Sequence, residues 1–303
     1  MTKPTIVISA CLNNHAFRYN GTSANDEIVN KIKFLFKLID VCPEVSIGLG
    51  IPRKPIKLNK FDDKFKVIQE ETNIDLTEKF EKFSYEFINN NKNKIYGAIL
   101  KAKSPSCGVA NCKYYVDGKI QGRTYGIFAR ILKATLPYIP LTDEVHLRNK
   151  QLLWEFLTKV FMFFRFENSK YDINSLIEFH SRHKYILMGI SQKHLKILGQ
   201  ILAKHNGKNF LELRKVYEEK FKEVLKLNFK KSNLVNTITH IFGHISKSLN
   251  SKEKNNFIKM IEKYRNGNLD FNLLIEILRV YALRFNNEYL LSQFFLNPYP
   301  EIE

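Results

Sequence analysis

The sequence predicts an N-terminal α/β domain on a doubly wound parallel sheet, residues 1–145, followed by an all-α domain, residues 146–303. Three observations predict it. Short Ile/Val-rich runs alternate with amphipathic stretches as far as Leu141, the pattern of parallel strands joined by crossover helices. From Leu147 to Asn297 there is no proline, glycines are isolated, and apolar residues recur at three and four. Charge shifts as well: residues 1–145 hold 22 basic and 15 acidic side chains, net +7, and residues 146–303 hold 26 and 15, net +11.

Taken in order, residues 4–10 read as a strand by their Ile/Val content, and the loop 11–25 carries Arg18-Tyr19-Asn20-Gly21. Asn25 caps a helix running to about Leu38, with Ile28, Ile32, Leu35 and Phe36 at helical spacing. A strand ends near Val41, and Pro43, Gly48, Gly50, Pro52 and Pro55 then forbid regular structure over 42–55. Val67 and Ile68 mark a short strand, Phe80, Phe83, Phe87 and Ile88 one face of a helix, and residues 95–100 the next strand. Beyond Cys107 come a helix over 126–136 and a short strand over 138–141. The second half reads as helices over 147–166, 173–188, 192–205, 209–227, 233–249, 251–266 and 271–285, with a tail helix near 289–296. No fixed-period repeat is present, which excludes a solenoid.

A chain of 303 residues with 44% hydrophobic residues, 24 Phe and 14 Tyr is globular and large enough for real cores. Forty-eight Lys+Arg against 30 Asp+Glu give a formal charge of +18, which favours a polyanionic partner, nucleic acid before an anionic membrane surface. The plainer alternative is a compositional bias toward Lys and Asn. Four cysteines make no disulfide framework, and no charged-then-apolar leader opens the chain. No run of about 18 apolar residues is present, so no membrane span is expected. The expectation is a cytoplasmic protein with reduced thiols.

Three of the cysteines each follow a predicted strand: Cys11 after Ile6-Val7-Ile8-Ser9-Ala10, Cys42 after Leu38-Ile39-Asp40-Val41, and Cys107 beyond 95–100 in Ser104-Pro105-Ser106-Cys107-Gly108. Ligands of open α/β sheets bind at the carboxyl ends of the strands. Three thiolates converging there would form an iron–sulfur or metal site with one position open. The paired C-x-x-C spacing of zinc sites is absent, and widely spaced cysteines suit a cluster assembled by the fold. An isolated Cys is often a small core residue, but these three lie in loops rich in Gly, Pro and polar residues. Cys112 reads as a neighbouring structural thiol rather than a fourth ligand. Glu44, two residues from Cys42, is a candidate general acid or base, and Ser104 a candidate hydrogen-bond partner for a polar substrate atom. A solvated turn Glu and a turn-forming Ser stay open as alternatives.

The His240/His244 and His180/His183 pairs have spacings that can share a metal, but no acidic residue intervenes between His240 and His244 and no H-E-x-x-H pattern occurs, so no second metal is expected. Arg182, His183, Lys184, Lys193, His194, Lys196, Lys204, His205 and Lys208 form a candidate phosphate-contacting face, against an ordinary solvated one.

Three motifs in order now carry a resemblance: Ser9-Ala10-Cys11-Leu12 with Arg18-Tyr19; Cys42-Pro43-Glu44-Val45 with Ile47-Gly48-Leu49-Gly50-Ile51-Pro52-Arg53; and Lys103-Ser104-Pro105-Ser106-Cys107-Gly108. Over about residues 4–140 the chain resembles the thiouracil desulfidase family. The resemblance implies an α/β domain binding a 4Fe–4S cluster through Cys11, Cys42 and Cys107, with one iron open for the substrate's sulfur. It implies Glu44 as the catalytic carboxylate, Ser104 as the active-site serine, and Arg18 and Tyr19 as substrate-binding residues. Asn20 departs from the Asp that commonly follows Arg-Tyr, and Cys112 lies outside the family's ligand set. Residues Phe179-His180-Ser181-Arg182-His183-Lys184-Tyr185 through Met188, with Leu296-Asn297-Pro298-Tyr299-Pro300, resemble a helical domain of unknown function fused behind this catalytic domain, an arrangement similar to bacterial tRNA 4-thiouridine desulfidases. The implied activity is non-redox removal of sulfur from thiolated uracil, 4-thiouridine, in tRNA, giving uridine and hydrosulfide, with Arg182, His183, Lys184 and Lys193 on the RNA. Desulfuration of free thiouracil or thionucleosides, and a non-catalytic RNA-binding cluster protein, are the alternatives.

Overall fold

The computed structural model describes residues 2–204 and 209–302. Two compact units result, one reaching Phe156 and the other Leu157–Glu301. The fold class is the expected one, an α/β unit with a parallel sheet and then a helical unit.

The first unit opens with β1 (Thr5–Ser9), a tight turn over Ala10–Asn13, α1 (Glu27–Ile32), β2 (Lys37–Val41) and α2 (Pro43–Ser46). Then come β3 (Ile56–Phe61), β4 (Lys64–Gln69), β5 (Ile74–Asp75), α3 (Thr77–Asn91), β6 (Ala98–Leu100), β7 (Cys112–Val116), β8 (Lys119–Thr124), α4 (Ile127–Thr135) and β9 (Leu141–Asp143). A four-stranded parallel sheet runs in the order β2-β1-β6-β9. The middle of β1 and the whole of β6 are apolar because both faces are covered: Ile6, Val7, Ile8, Ala98, Ile99 and Leu100 are all at 0% exposure. Phe83 and Phe87 of α3 lie against Phe128 of α4, at 6.4 and 5.6 Å between ring centroids.

Several expectations are corrected. The cap of α1 is Asp26, whose carboxylate accepts from the N–H groups of Ile28 and Val29, and the helix is shorter than expected. Loop 42–55 contains the single turn α2, with Pro43 at its first position, where a missing N–H costs nothing. A second sheet, order β5-β4-β3-β7-β8, is also present, and residues 67 and 68 belong to its β3–β4 hairpin. The strand expected over 138–141 lies instead at β9.

The second unit holds most of α5 (Lys150–Glu167), then α6 (Ile173–Arg182), α7 (Lys184–Ile190), α8 (Gln192–Ala203), α9 (Phe210–Leu225), α10 (Lys231–Ile245), α11 (Ser251–Arg265), α12 (Phe271–Arg284) and α13 (Glu288–Leu291). Its core includes an aromatic cluster in which Phe166 meets Phe179, Tyr217 and Phe221 at 5.3, 5.9 and 4.7 Å. The helix expected over 173–188 breaks at His183, between α6 and α7. No helix among the described residues is long and apolar enough to cross a membrane.

Candidate active site

The parallel sheet decides where the cysteines go. Strand β1 is central, and the chain leaves it first toward β2 on one side and later toward β6 on the other. Such a switch point opens a crevice beyond the strands' carboxyl ends. Cys11 sits in the turn directly after β1, Cys42 immediately after β2, and Cys107 in the loop that follows β6. Neighbouring strands lie about 5 Å apart, so three adjacent exits bring the thiols together without a local sequence motif. Cys11, Cys42 and Cys107 line one cavity of about 460 Å³, with Glu44, Ser104, Arg18 and Tyr19 also in its wall.

All three thiols are raised. Burial pushes the Cys11 thiol up to about 11, and the charge of Cys42 adds to the shift. Burial also raises Cys42, where the backbone N–H groups of Val45 and Glu44 act in the opposite direction. Cys107, 4% exposed, is raised by burial and by Cys11 and Cys42, against hydrogen bonds from Ser9 and Ser106. Burial raises all three thiols, and thiol neighbours raise Cys11 and Cys107 further, a combination that a cationic partner would relieve. Among the described residues, no three His, Cys, Asp or Glu side chains close on a single ion. The donor set therefore fits a wider, all-thiolate cluster better than a mononuclear ion.

Cys112 stands apart. It lines a second cavity, burial raises its thiol to about 12, and the charge acting on it is that of Arg130.

Glu44 is fixed from both sides. Arg53 Nε donates to Glu44 Oε2 at 2.7 Å, and Ser106 Oγ donates to Oε1 at 2.8 Å. The Arg53 side chain is 3% exposed and that of Glu44 13%. Arg53 also donates through Nη2 to the Phe17 carbonyl at 2.7 Å and through Nη1 to the Gly50 carbonyl at 3.2 Å, tying the loop with Arg18 and Tyr19 to the loop with Glu44. Each carboxylate oxygen keeps a further lone pair for a water molecule.

The Cys107 loop is built by its own sequence. Ser104 Oγ accepts from the backbone N–H groups of Ser106 and Cys107, at 3.2 and 3.1 Å, around Pro105. Ser104 and Ser106 hydroxyls lie 2.9 Å apart. Because Ser106 donates to Glu44, the shared proton comes from Ser104, giving a directed chain Ser104, Ser106, Glu44. Gly126 lets this loop pack: a Cβ there would stand 2.6 Å from the Ser106 carbonyl. At the far edge of the loop, buried Asp143 accepts from Asn111 Nδ2 at 2.7 Å, and Asn111 Oδ1 accepts the Lys103 N–H at 2.8 Å.

Arg53 and Ser106, the side chains that hold Glu44, carry no role in the reading of the sequence. The one signal for Arg53 was its place at the end of the Gly50-Ile51-Pro52-Arg53 segment. Ser106 had none, since its partner Glu44 lies 62 residues away.

On the helical unit one of the expected residues is not at the surface. His183 is 1% exposed, between the rings of Phe179 and Phe294 at 4.1 and 4.6 Å, so the expectation that it meets phosphate is corrected. Its Nδ1 donates to the Phe179 carbonyl at 2.7 Å. Arg182 lies over Phe294 and donates to Glu178 and the Ser292 carbonyl. Lys184 is half-buried and Lys193 exposed. His205 and Lys208 lie outside the described residues.

The first unit is thus a parallel α/β domain that gathers three cysteines, a clamped carboxylate and two serines around one crevice. Residues 6–144 match the family model described as 2-thiouracil desulfurase, and residues 184–300 match that of a protein of unknown function, DUF1722. The two matches lie in the α/β unit and the helical unit respectively. Similar curated proteins are the uncharacterized YbbK of Bacillus subtilis, 28% identical over 42% of this chain and 89% of YbbK, and the uncharacterized YbgA of Escherichia coli, 23% identical over 42% of this chain and 76% of YbgA. Among solved structures, a 4Fe-4S-dependent thiouracil desulfidase, TudS, is similar at 24% identity and a TM-score of 0.39, spanning 50% of this chain and 98% of that one.

Proposed function

We propose that the protein is an iron–sulfur desulfidase that removes sulfur from thiolated uracil, with 4-thiouridine in tRNA as its substrate, in the reducing cytoplasm. The observation that carries the reading is the convergence of Cys11, Cys42, Cys107 and Glu44 on one cavity of a 2-thiouracil desulfurase family domain. Cys11, Cys42 and Cys107 would hold a 4Fe–4S cluster, which when bound supplies a Lewis-acidic iron for a thiocarbonyl sulfur. Glu44, locked between Arg53 and Ser106, takes a proton from the water that adds to the carbon bearing sulfur. It returns that proton as the carbon–sulfur bond breaks, so thiouracil and water give uracil and hydrogen sulfide with no net oxidation or reduction. Ser104 feeds the Ser106 hydroxyl toward Glu44, and reaches a substrate atom itself only by releasing Ser106. Arg18 and Tyr19 flank the cavity entrance, where Tyr19 is 46% exposed and offers its ring to a pyrimidine.

The net charge of +18 favours a nucleic-acid substrate over a free base. The hydrogen-bonded chain from Ser104 to Glu44 argues against a passive cluster carrier, which needs no poised carboxylate. The deciding experiment is anaerobic cluster reconstitution followed by hydrosulfide release from thiolated tRNA, 4-thiouridine and free thiouracil side by side. Turnover of tRNA above the two small substrates supports the reading, and turnover of none of them removes it.

A further inference from the structure

A second cavity of the first unit, about 470 Å³, shares the wall formed by Ile56, Lys103 and Pro105 with the thiol cavity. Its lining includes Lys57, Lys103, Lys113 and Arg123 together with Tyr115. The small sheet places these residues. Lys113 and Tyr115 are two apart on β7 and so share a face, and Arg123 of β8 is the direct cross-strand partner of Lys113. Like charges directly opposite one another destabilise a sheet. Nothing offsets them here: among the described residues no carboxylate pairs with Lys103, Lys113 or Arg123, and the cavity's Glu70 is engaged by Lys57. Lys57 Nζ also lies 4.8 Å from the centre of the Tyr115 ring. Lys103 adopts φ 62°, a left-handed conformation uncommon for a lysine, and its N–H is fixed there by Asn111. The left-handed backbone at the wall common to both cavities is thus held by a hydrogen-bond chain from Lys103 through Asn111 to buried Asp143.

We propose that this second cavity takes a backbone phosphodiester of the RNA strand whose thiolated nucleotide enters the thiol cavity. The inference rests on the proposed function for the identity of the strand. Three uncompensated cations lining one cavity suit an anion, and phosphate contacts give most of the sequence-independent affinity for nucleic acid. Tyr115 adds an aromatic face on which an adjoining base can stack. A free base has no group for this cavity. The catalytic unit therefore carries RNA contacts of its own and does not leave them all to the helical unit.

The test is binding of unmodified bulk tRNA to the reconstituted full chain over a series of salt concentrations, for wild type and for Lys113→Gln/Arg123→Gln. Losing two phosphate contacts should lower the slope of log affinity against log salt by roughly 1.5 to 2. An unchanged slope with unchanged affinity would overturn the proposal. Ultraviolet crosslinking of wild type to the same tRNA gives a second reading that needs no variant: a crosslink within residues 112–124 is expected, and crosslinks confined to the helical unit would also overturn it. Neither measurement reads cluster or turnover. A failure of the proposed desulfuration is therefore distinguishable from a failure of this phosphate site.

Discussion

Replacing Arg53 by Met removes the guanidinium that fixes Glu44 while keeping most of its apolar stem. Four hydrogen bonds disappear together, to Glu44 Oε2 and the Phe17 carbonyl, both at 2.7 Å, to the Gly50 carbonyl at 3.2 Å, and to Cys42 Sγ at 4.0 Å. Both side chains of the ion pair are largely shielded, at 3% and 13% exposure, so water does not restore what is lost. A hydrogen bond to a charged group contributes about 1.5–3 kcal/mol, and removing one member of a buried pair costs about 3–5 kcal/mol. The expected loss of stability is therefore about 3–5 kcal/mol. Released from Arg53, Glu44 is held by Ser106 alone, and a misplacement of about 1 Å lowers turnover roughly 100-fold. Arg53→Lys should recover part of the stability and little of kcat, because an ammonium cannot bond the carboxylate and two carbonyls in one plane. Urea unfolding under anaerobic conditions and steady-state hydrosulfide release measure the two effects separately. An Arg53→Met variant within about 0.5 kcal/mol of wild type, or with kcat unchanged, would refute the reasoning.

Other perturbations have equally definite outcomes. Glu44→Gln keeps the size but cannot take a proton, so cluster content should stay near normal while turnover falls by roughly two to four orders of magnitude, as absorbance and rate measured on one sample would show. Ser106→Ala should lower kcat with KM little changed, and Ser106→Thr, which keeps the hydroxyl, should recover much of it; equal rates for the two variants would remove the serine chain from the account. Burial pushes His180 down to about 4 from an ordinary value near 6.5, and buried His183 is lowered as well. The unfolded chain then binds more protons between those values, so stability should be full above about pH 6.5 and fall as pH drops toward 4. Thermal melting across that range, compared with His180→Gln, checks the sign.

The parallel sheet was legible because its inner strands are buried on both faces, which turns Ile6-Val7-Ile8 and Ala98-Ile99-Leu100 into unbroken apolar runs. The second sheet was not. Strand β3 alternates buried Ile56 and Leu58 with Lys57 and Asn59 beside proline, β7 buries only Cys112, and β8 buries no residue, so they resemble polar loops to a periodicity reading. The break at His183 was hidden for a related reason: the ring is buried, and apolar spacing runs through it uninterrupted. At the site, Cys11, Cys42, Cys107 and Glu44 could be picked out because each stands at or just beyond a strand end. The partners of Glu44 could not, since Ser106 is brought in by the sheet and Arg53 by a turn, and neither contact leaves a spacing to read. Charge misled at His183, where a basic side chain suggested a surface and the fold buries it against Phe179 and Phe294.

The central claim is that three particular thiols hold one cluster in the cavity that Glu44 faces. The most direct measurement is iron and acid-labile sulfide content after anaerobic reconstitution, for wild type and for Cys11→Ala, Cys42→Ala, Cys107→Ala and Cys112→Ala. The account predicts about four irons per chain in wild type and in Cys112→Ala, and loss of the cluster in each of the other three. A full cluster in Cys42→Ala, or its loss in Cys112→Ala, would contradict it.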